Sequence, residues 1–281
     1  MNNPGTNATS PAATAIGGLL ASGDPPPVGI VNSGGRSPFL LTGDHAGVAV
    51  PRALGRLGID EADHARHIAC DIGVRALGDR LSALLDATFV HQIYSRLVID
   101  CNRRPDAADA IPAMSDGTAI PANAMLSAAD RAARVAAIHA PYQDAIAATI
   151  DARQARGQAT ILVALHSFTP VMAGSARPWE IGILHDGGDP SFARATLAAL
   201  IAQGGFVVGD NEPYRMDGTD HSVPRHAYPR GLPYVEVEFR QDRLAAPGGV
   251  ALWADRFADA LLAAVQGRRP IGEAPASGPM P

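Results

Sequence analysis

Short unbroken runs of apolar residues recur along the chain, and polar residues follow them. In the clearest case, Ile161–Leu165 leads directly into His166 and Ser167. A run of strand length without alternation is typical of a strand that is buried on both faces of a parallel sheet. Runs of the same kind predict further strands at Pro38–His45, Arg96–Asp100, Ile181–Leu184 and Phe206–Gly209.

Polar residues at the ends of four of these strands are expected to meet. They are His45, Asn102, His166 and His185. In parallel sheets, ligands bind in the crevice outside the carboxyl ends of the strands. The pattern therefore predicts one functional site that is built from several strand ends.

Between the strands, apolar residues recur at helical spacing. Residues 60–86 predict one or two amphipathic helices, and Pro190–Gln203 and Gly249–Gln266 predict two more. A further helix is expected over Ser127–Arg156, because Ser127 followed by Asp130 is close to a capping box.

The last predicted strand, Pro233–Arg240, alternates between polar and apolar residues. Tyr234, Glu236, Glu238 and Arg240 share one face, and the apolar residues between them share the other. Strands that alternate with helices, without an internal repeat, predict a single α/β domain with a mainly parallel or mixed sheet flanked by helices.

Composition at the two ends of the chain sets the expected domain boundaries. Both ends are rich in Pro, Gly, Ala and small polar residues, which predicts flexible tails. The expected divisions are a tail over 1–35 with a short ordered piece near Val28–Val31, a domain over 36–267, a tail over 268–281, and long site loops at 105–126 and 210–232.

Charge and cysteine content narrow the class of protein. The net charge is −5 and no block of basic residues occurs, which argues against a nucleic-acid or anionic-membrane surface. Two cysteines form no disulfide framework, as is typical of a reducing compartment. No apolar run approaches the roughly 20 residues of a membrane span. We expect a cytoplasmic protein that is a monomer or a small homo-oligomer.

His45 and His166 both stand where an apolar strand stops, and carboxylates lie nearby in the pattern. Hydrolytic zinc sites use His and carboxylate ligands together with a water whose pKa the metal lowers to about 7. The two histidines are therefore candidate metal ligands. The carboxylate ligand stays open between Asp44 and Asp71, and a helix N-cap is the structural alternative for Asp71.

Glu238 is the candidate general base, because a carboxylate that points into a site from a strand can move a proton from water to a leaving amine. Glu236 shares its predicted face and competes for the role. Asn102, Arg103 and Arg104 follow a strand with one amide and two guanidinium groups. Guanidinium groups bind carboxylates through two hydrogen bonds and also help to polarise a carbonyl oxygen.

Nucleophilic serine or cysteine chemistry has less support. The chain contains no Gly-x-Ser-x-Gly elbow, and Ser167 follows a histidine instead. Cys101 lies at a predicted strand end, where cysteine is usually buried. Phosphate-binding motifs of the Gly-x-x-x-x-Gly-Lys or Gly-x-Gly-x-x-Gly type are absent.

Several motifs occur in a recognisable order. They are Gly43-Asp-His-Ala-Gly47, His67-Ile-Ala-Cys-Asp-Ile-Gly73, Tyr94-Ser-Arg-Leu-Val-Ile-Asp-Cys-Asn-Arg-Arg-Pro105, Leu165-His-Ser-Phe-Thr-Pro170, Asp210-Asn-Glu-Pro-Tyr214, Arg225-His-Ala227 and Arg230-Gly-Leu-Pro-Tyr-Val-Glu-Val-Glu-Phe-Arg-Gln-Asp242. Over residues 36 to about 265 the chain thereby resembles the N-formylglutamate amidohydrolase family. That family is similar to the zinc carboxypeptidases, so the resemblance implies a carboxypeptidase-like (phosphorylase/hydrolase-like) fold.

The resemblance also implies roles for particular residues. His45 and His166 would be zinc ligands, and Glu238 would be the base because it precedes Phe239-Arg240. Position 48 is Val where carboxypeptidases carry a metal-binding Glu, so the resemblance favours Asp71 over Asp44 as the third ligand. Asn102 and Arg103 would hold a substrate carboxylate, Arg103 would also act in catalysis, and Arg104, Ser167, Tyr214 and His226 would help to bind the substrate.

The implied reaction is hydrolysis of N-formyl-L-glutamate to formate and L-glutamate in histidine degradation, with one zinc or another divalent metal per chain. The partner would be a small N-acyl amino acid. One alternative is a zinc amidase or peptidase for another acyl amino acid or for a γ-glutamyl or cell-wall peptide. The other is a non-catalytic family member that binds a carboxylate. The roles of His185, His221 and Glu236 stay open.

Overall fold

A seven-stranded mixed sheet forms the centre of the protein in the computed structural model, which describes residues 18–267. The strands of the sheet are β1 (Val28–Val31), β2 (Phe39–Gly43), β3 (Thr88–Gln92), β6 (Ile161–Phe168), β9 (Ile181–Leu184), β10 (Val208–Asp210) and β11 (Tyr234–Arg240). Their order in the sheet is β1-β3-β2-β6-β11-β9-β10. Four adjacent strands, β3, β2, β6 and β11, run parallel, whereas β1 at one side and the β9-β10 pair at the other run in the opposite direction.

Two small hairpins and eight α-helices complete the described part of the chain. The hairpins are β4-β5 (Met114–Ser115 and Thr118–Ala119) and β7-β8 (Val171–Met172 and Ser175–Ala176). The α-helices are α1 (Glu61–His64), α2 (Val74–Leu85), α3 (Ala128–Arg134), α4 (Ala140–Ala155), α5 (Ser191–Gln203), α6 (Ser222–His226), α7 (Gln241–Ala245) and α8 (Gly249–Gly267). None of these helices within residues 18–267 is long and apolar enough to cross a membrane.

Two hydrophobic cores lie on opposite faces of the sheet. Helices α2, α5 and α8 pack on one face, against Val163 of β6 and Val237 of β11. The other face carries Leu162 of β6 and Tyr234 of β11, which pack in a second core with α4 and α6. The fold is therefore a mixed α/β domain with helices on both faces of its sheet, as the sequence pattern predicts.

The pleat of the central strands places the candidate site on the second face. Side chains at alternate positions point to the same side of a strand. His166 therefore shares the face of Leu162, and Glu236 and Glu238 share the face of Tyr234. In the β6-β11 pairing, Glu238 stands directly beside His166. Polar residues thus continue this face of the sheet beyond its apolar core.

Most predicted elements are present with shifts of a few residues. The capping box at Ser127 is confirmed, although a π-helical turn at Val135–His139 joins α3 to α4. The strand predicted at Phe206–Gly209 begins later, as β10, and Phe206, which precedes it, packs edge-on against Trp253. The sheet begins at β1, within the predicted N-terminal tail, whereas residues 1–17 and the tail over 268–281 lie outside the described residues.

The strand predicted over Arg96–Asp100 is wrong. The strand in this region is β3, and residues 96–100 form a buried turn at its carboxyl end. The Ser95 hydroxyl accepts a hydrogen bond from the Leu97 amide, and the Ser95 carbonyl accepts one from the Val98 amide. These local bonds replace a strand ladder, so the apolar run is buried without joining the sheet.

His185 does not belong to the predicted cluster of strand ends. Strand β9 runs antiparallel to β11, so the carboxyl end of β9 lies beside the amino end of β11, away from the carboxyl ends of the parallel strands. There the His185 imidazole Nε2 lies 2.9 Å from Asp210 Oδ1. An apolar run does not reveal strand direction, and for this reason the sequence pattern placed His185 with the other three residues.

Candidate active site

A cleft of about 810 Å³ opens at the carboxyl ends of β2, β6 and β11. The long loops and both hairpins form its rim. Most of the residues that the sequence predicts for the site lie in its walls: His45, Asp71, Asn102, Arg103, His166, Ser167, Tyr214, Glu236 and Glu238.

Three buried side chains in the cleft, His45, Asp71 and His166, could hold a metal ion. One ligand atom from each lies within 4.8 Å of the others. The Nδ1 atoms of His45 and His166 are 3.4 Å and 3.1 Å from the same oxygen, Asp71 Oδ2. Two imidazole nitrogens and a carboxylate, open to a cleft, form the ligand set of many catalytic zinc sites. The residues present therefore fit a divalent metal of this kind.

A second carboxylate lies at the other ring nitrogen of each of the two imidazole rings. The Nε2–H of His45 donates to Asp100 Oδ1 at 2.7 Å. His166 Nε2 lies 3.4 Å from Asp44 Oδ2. A carboxylate at one ring nitrogen fixes the tautomer and leaves the other nitrogen free to bind a metal. The two carboxylates that the sequence left open as the third ligand therefore differ in position. Asp71 faces both Nδ1 atoms, whereas Asp44 lies at the other nitrogen of His166, Nε2.

Asp71 is held in place by the backbone as well as by the rings. Its amide donates to the His45 carbonyl at 3.0 Å, and its Oδ2 accepts from the Ser167 amide at 3.2 Å. Burial alone would raise the pKa of Asp71, but the charge on His45 and the hydrogen bonds from His166 and His45 hold that pKa well below its ordinary value. A carboxylate that stays ionised is what metal binding requires.

Glu238 and Glu236 reach the cleft from the same face of β11. Both are buried, and Oε2 of each lacks a hydrogen-bond partner among residues 18–267. Burial, opposed by His166 and reinforced by Asp71, raises the pKa of Glu238 to about 8. Glu238 interacts electrostatically with His45, Asp71 and His166 together, whereas the charges that act on Glu236 come from Asp220, His166, Asp44 and Glu238.

Asn102 and Arg103 lie in the cleft wall, but Asn102 is also used to shape that wall. Its Oδ1 accepts the amides of His221 and Ser222 at 2.9 Å and 3.0 Å, which anchors the start of α6. The Arg103 guanidinium donates to Asp109 at 2.9 Å and remains partly accessible. Of these two residues, Arg103 has the side chain that keeps part of its surface accessible to a ligand.

The remaining predicted substrate-binding residues divide into two groups. Ser167 and Tyr214 lie in the cleft wall, where the Tyr214 hydroxyl accepts a hydrogen bond from Arg177 at 2.8 Å. Arg104 is exposed and pairs with Asp106, outside the cleft lining. His226 is buried on α6 and donates to Gln143 Oε1 at 2.7 Å, also outside the lining.

Comparison with known proteins identifies the family of this chain. Residues 37–245 match the model of the FGase family, N-formylglutamate amidohydrolase. The chain belongs to this family. The family resemblance that its motifs predict is thus confirmed, and the protein is an amidohydrolase of the N-formylglutamate amidohydrolase type, a hydrolase that acts on amide bonds.

Two solved structures resemble this chain. The gene product Atu2144 from Agrobacterium tumefaciens is 37% identical, with a TM-score of 0.85 over 88% of this chain and 98% of that chain. An N-formylglutamate amidohydrolase from Ralstonia eutropha JMP134 is 18% identical, with a TM-score of 0.63 over 85% of this chain and 97% of its own, a similarity of fold alone. No curated protein matches.

The cleft wall of this family member also contains Arg96, Asp100 and His67, which the sequence pattern does not single out as site residues. Arg96 binds Asp100 through Nη2 at 2.6 Å and lies 3.3 Å from Asp71 Oδ1, so it bridges the two carboxylates that flank His45. His67 Nε2 lies 3.7 Å from Asp71 Oδ1, whereas the Nδ1 atoms of His45 and His166 face Asp71 Oδ2. The spacing of four residues between Arg96 and Asp100 is a usable signal in the sequence, but the strand predicted over these residues gives no reason to pair them.

The metal ligands can be tested by substitution. We expect His45→Ala, Asp71→Ala and His166→Ala each to abolish stoichiometric zinc binding, because removing one of three ligands leaves too few for a zinc site. Elemental analysis after dialysis measures the bound metal. His185→Ala is the matched control, since that histidine lies outside the cleft and should leave the metal content unchanged. Full zinc occupancy in the three ligand variants would contradict the assignment.

The carboxylates behind the two rings give a second test. Asp100→Asn and Asp44→Asn are expected to weaken zinc binding by about 10- to 100-fold, the usual effect of losing such a partner. Competition with a chromogenic chelator gives the dissociation constants. Asp79→Asn, on the surface of α2, is the control. Equal zinc affinity in the Asp100 and Asp44 variants and in the unmodified protein would show that the rings need no such support.

Proposed function

We propose that the protein is a metal-dependent amidohydrolase that cleaves the amide bond of an N-acyl amino acid, with N-formyl-L-glutamate as the first substrate to test. The observation that carries the proposal is the arrangement of two Nδ1 atoms and one carboxylate beside the unpartnered Glu238 in an open cleft. Zinc, one ion per chain, is the metal that this ligand set favours, and another divalent ion is the alternative.

His45, Asp71 and His166 would hold the metal in this proposal. When bound, the metal would act as a Lewis acid toward the amide carbonyl and lower the pKa of water. Glu238 would accept the proton of the attacking water at its carboxylate and transfer it to the leaving nitrogen. Its position beside His166 in the β6-β11 pairing supports Glu238, rather than Glu236, as the base.

Arg103 would hold the substrate carboxylate and help to polarise the reacting carbonyl. Its place in the cleft wall and the accessibility of its guanidinium support this role. Asn102 would position the facing loop, while Ser167 and Tyr214 would line the substrate pocket. Arg104 and His226 receive no role, because neither lies in the cleft lining. Release of formate and L-glutamate in cytoplasmic histidine degradation is the corresponding cellular role.

The size of the cleft favours a second candidate substrate class. Its volume of about 810 Å³ lies in the upper part of the range of about 300–1,000 Å³ that is typical of sites for drug-sized ligands. A formyl amino acid would fill only a part of it. Larger acyl amino acids, and γ-glutamyl or cell-wall peptides, are therefore included as candidates. A non-catalytic, carboxylate-binding role is the remaining alternative.

Zinc content and formate release together test the proposal. We expect about one zinc per chain, formate release from N-formyl-L-glutamate or amine release from a larger acyl amino acid, and loss of both activities on chelation. Adding zinc back should restore turnover. Full turnover after exhaustive chelation would contradict the metal-dependent mechanism, and absence of both zinc and turnover would favour the carboxylate-binding alternative.

Glu238→Gln isolates the proposed base. This variant should fold, retain its zinc and lose about 10²- to 10⁴-fold in kcat, because the amide cannot accept the proton. Elemental analysis and steady-state kinetics measure the two properties on the same sample. Glu180→Gln is the matched control, since the Glu180 carboxylate binds Arg243 and the Val207 amide outside the cleft. An unchanged kcat in the Glu238→Gln variant would show that another group acts as the general base.

A further inference from the structure

Arg177 is a buried cation for which the described residues supply no counterion. It is 8% exposed, and no carboxylate among residues 18–267 forms an ion pair with it. Its guanidinium instead donates to the Tyr214 hydroxyl at 2.8 Å and to the Met172 sulfur. It also lies over two aromatic rings, 4.9 Å from the centre of the Tyr214 ring and 5.7 Å from that of Phe168. All of these partners are uncharged.

The positive charge of Arg177 is permanent. A guanidinium does not lose its proton in proteins, so the cost of its burial cannot be relieved by neutralisation, as it can for a carboxyl group. Contacts with aromatic faces offset a part of that cost, but a buried charge is stable mainly when it is paired. An anion is therefore the group that this position lacks.

Carboxylates of the cleft lining are engaged elsewhere. Asp100, Asp109 and Asp116 each bind a different arginine, at nitrogen–oxygen distances of 2.6 Å, 2.9 Å and 2.6 Å. These arginines are, in the same order, Arg96, Arg103 and Arg66. The missing anion is therefore expected to come from a ligand rather than from the protein.

Tyr214 connects this charge to the cleft. Its side chain lines the cleft, whereas Arg177 stands behind it. The Tyr214 oxygen accepts a hydrogen bond from Arg177, so its own O–H is free to donate to a ligand. Burial raises the pKa of Tyr214, the charge on Glu238 adds to this effect, and the hydrogen bond from Arg177 opposes it. The hydroxyl therefore keeps its proton at neutral pH and remains a donor.

Strand β6 sets the position of the Arg177–Tyr214 pair relative to the metal group. Phe168, over whose ring the guanidinium lies, follows His166 by two residues and shares its face of the strand. Two residues span about 7 Å along a strand. A positively charged subsite thus lies about one strand repeat from a proposed metal ligand, beside the open cleft.

We propose that Arg177 determines specificity for a second carboxylate on the substrate, which the Tyr214 hydroxyl binds directly and the Arg177 guanidinium stabilises from behind. The inference rests on the proposed function, in which Arg103 holds the first carboxylate. A hydroxyl that accepts a hydrogen bond from a guanidinium is polarised, and its own bond to a carboxylate is strengthened. Substrates whose side chain ends in a carboxylate are thereby preferred over substrates with a neutral side chain of the same shape.

A pair of isosteric substrates tests the proposal. N-formyl-L-glutamate and N-formyl-L-glutamine share the scissile bond and differ in side-chain charge. With the zinc-loaded enzyme, kcat/KM should be higher for the glutamate compound. Tyr214→Phe keeps the ring and should lower the glutamate-to-glutamine ratio of kcat/KM by about 10- to 100-fold, mainly through KM, as expected for losing a hydrogen bond to a charged group. The zinc content of the variant reports whether the metal group stays intact.

Substitutions of Arg177 test its role as a positioning residue. Arg177→Gln removes the charge and should lower the same ratio to a similar extent, whereas Arg177→Lys keeps the charge and should recover a part of the glutamate preference. A merely structural role would lower kcat/KM for both substrates and leave the ratio unchanged, which would overturn the proposal. Tyr214→Phe carries the test if loss of the buried guanidinium unfolds the protein.

Arg215→Gln is the matched control. It removes the same charge from the cleft lining, one residue beyond Tyr214, but Arg215 is exposed. Its glutamate-to-glutamine ratio should change by less than roughly threefold, because charges in contact with solvent act weakly. An equal fall of the ratio in the Arg177→Gln and Arg215→Gln variants would point to the general field of the cleft and overturn the specific role of Arg177.

Calorimetric binding of L-glutamate and L-glutamine to the zinc-loaded protein separates the subsite from the proposed function. Selective binding of glutamate that Tyr214→Phe abolishes, without turnover of any formyl amino acid, would support the subsite and contradict the proposed function. Turnover of both formyl compounds with equal kcat/KM, or a glutamate preference that Tyr214→Phe leaves unchanged, would support the amidohydrolase and overturn the subsite. Absence of both selective binding and turnover would contradict both.

Discussion

The carboxylate of Asp71, placed between two imidazole rings, is the interaction on which the rest of the cleft depends. The Nδ1 atoms of His45 and His166, the Ser167 amide and the Arg96 guanidinium all converge on it. A charge with so little solvent contact persists only if it is paired. The contacts of the Asp71 carboxylate therefore hold the loops of Asp71 and Arg96 at the ends of β2 and β6. The same carboxylate is one of the three candidate metal ligands.

The carboxylates behind the rings connect this centre to the outer helices. Asp44 accepts the Ser222 hydroxyl at 2.7 Å, and Gln143 on α4 donates to the same Ser222 oxygen at 3.1 Å. Asn102 binds the backbone amide of Ser222 as well. The position of α6, and with it one wall of the cleft, is thus set by hydrogen bonds that include Asp44, whose other oxygen lies 3.4 Å from His166 Nε2. One network of hydrogen bonds therefore extends from the site to this wall of the cleft.

Sequence periodicity accounts for the parts of the site that depend on strands. Alternation in β11 placed Glu236 and Glu238 on one face, and the apolar run of β6 placed His166 at a strand end. It could not assign Arg96, because the apolar residues that follow it fill a buried turn. It could not separate His185 from the other strand ends either, because strand direction depends on long-range pairing. Local sequence patterns indicate which residues are buried, whereas the tertiary fold determines which residues they contact.

The carboxylates that lack partners are the features least explained by stability. Natural folds leave very few buried polar groups unsatisfied, and the exceptions concentrate where function requires them. Glu238 and Glu236 are two such groups on a single strand. Proton transfer is the task that we propose for Glu238, whereas Glu236 stands one strand repeat further in and is not part of the group that His45, Asp71 and His166 form within residues 18–267. Because the same face of β11 directs both side chains toward the cleft, Glu236 continues inward the row of buried acidic groups that begins at Glu238.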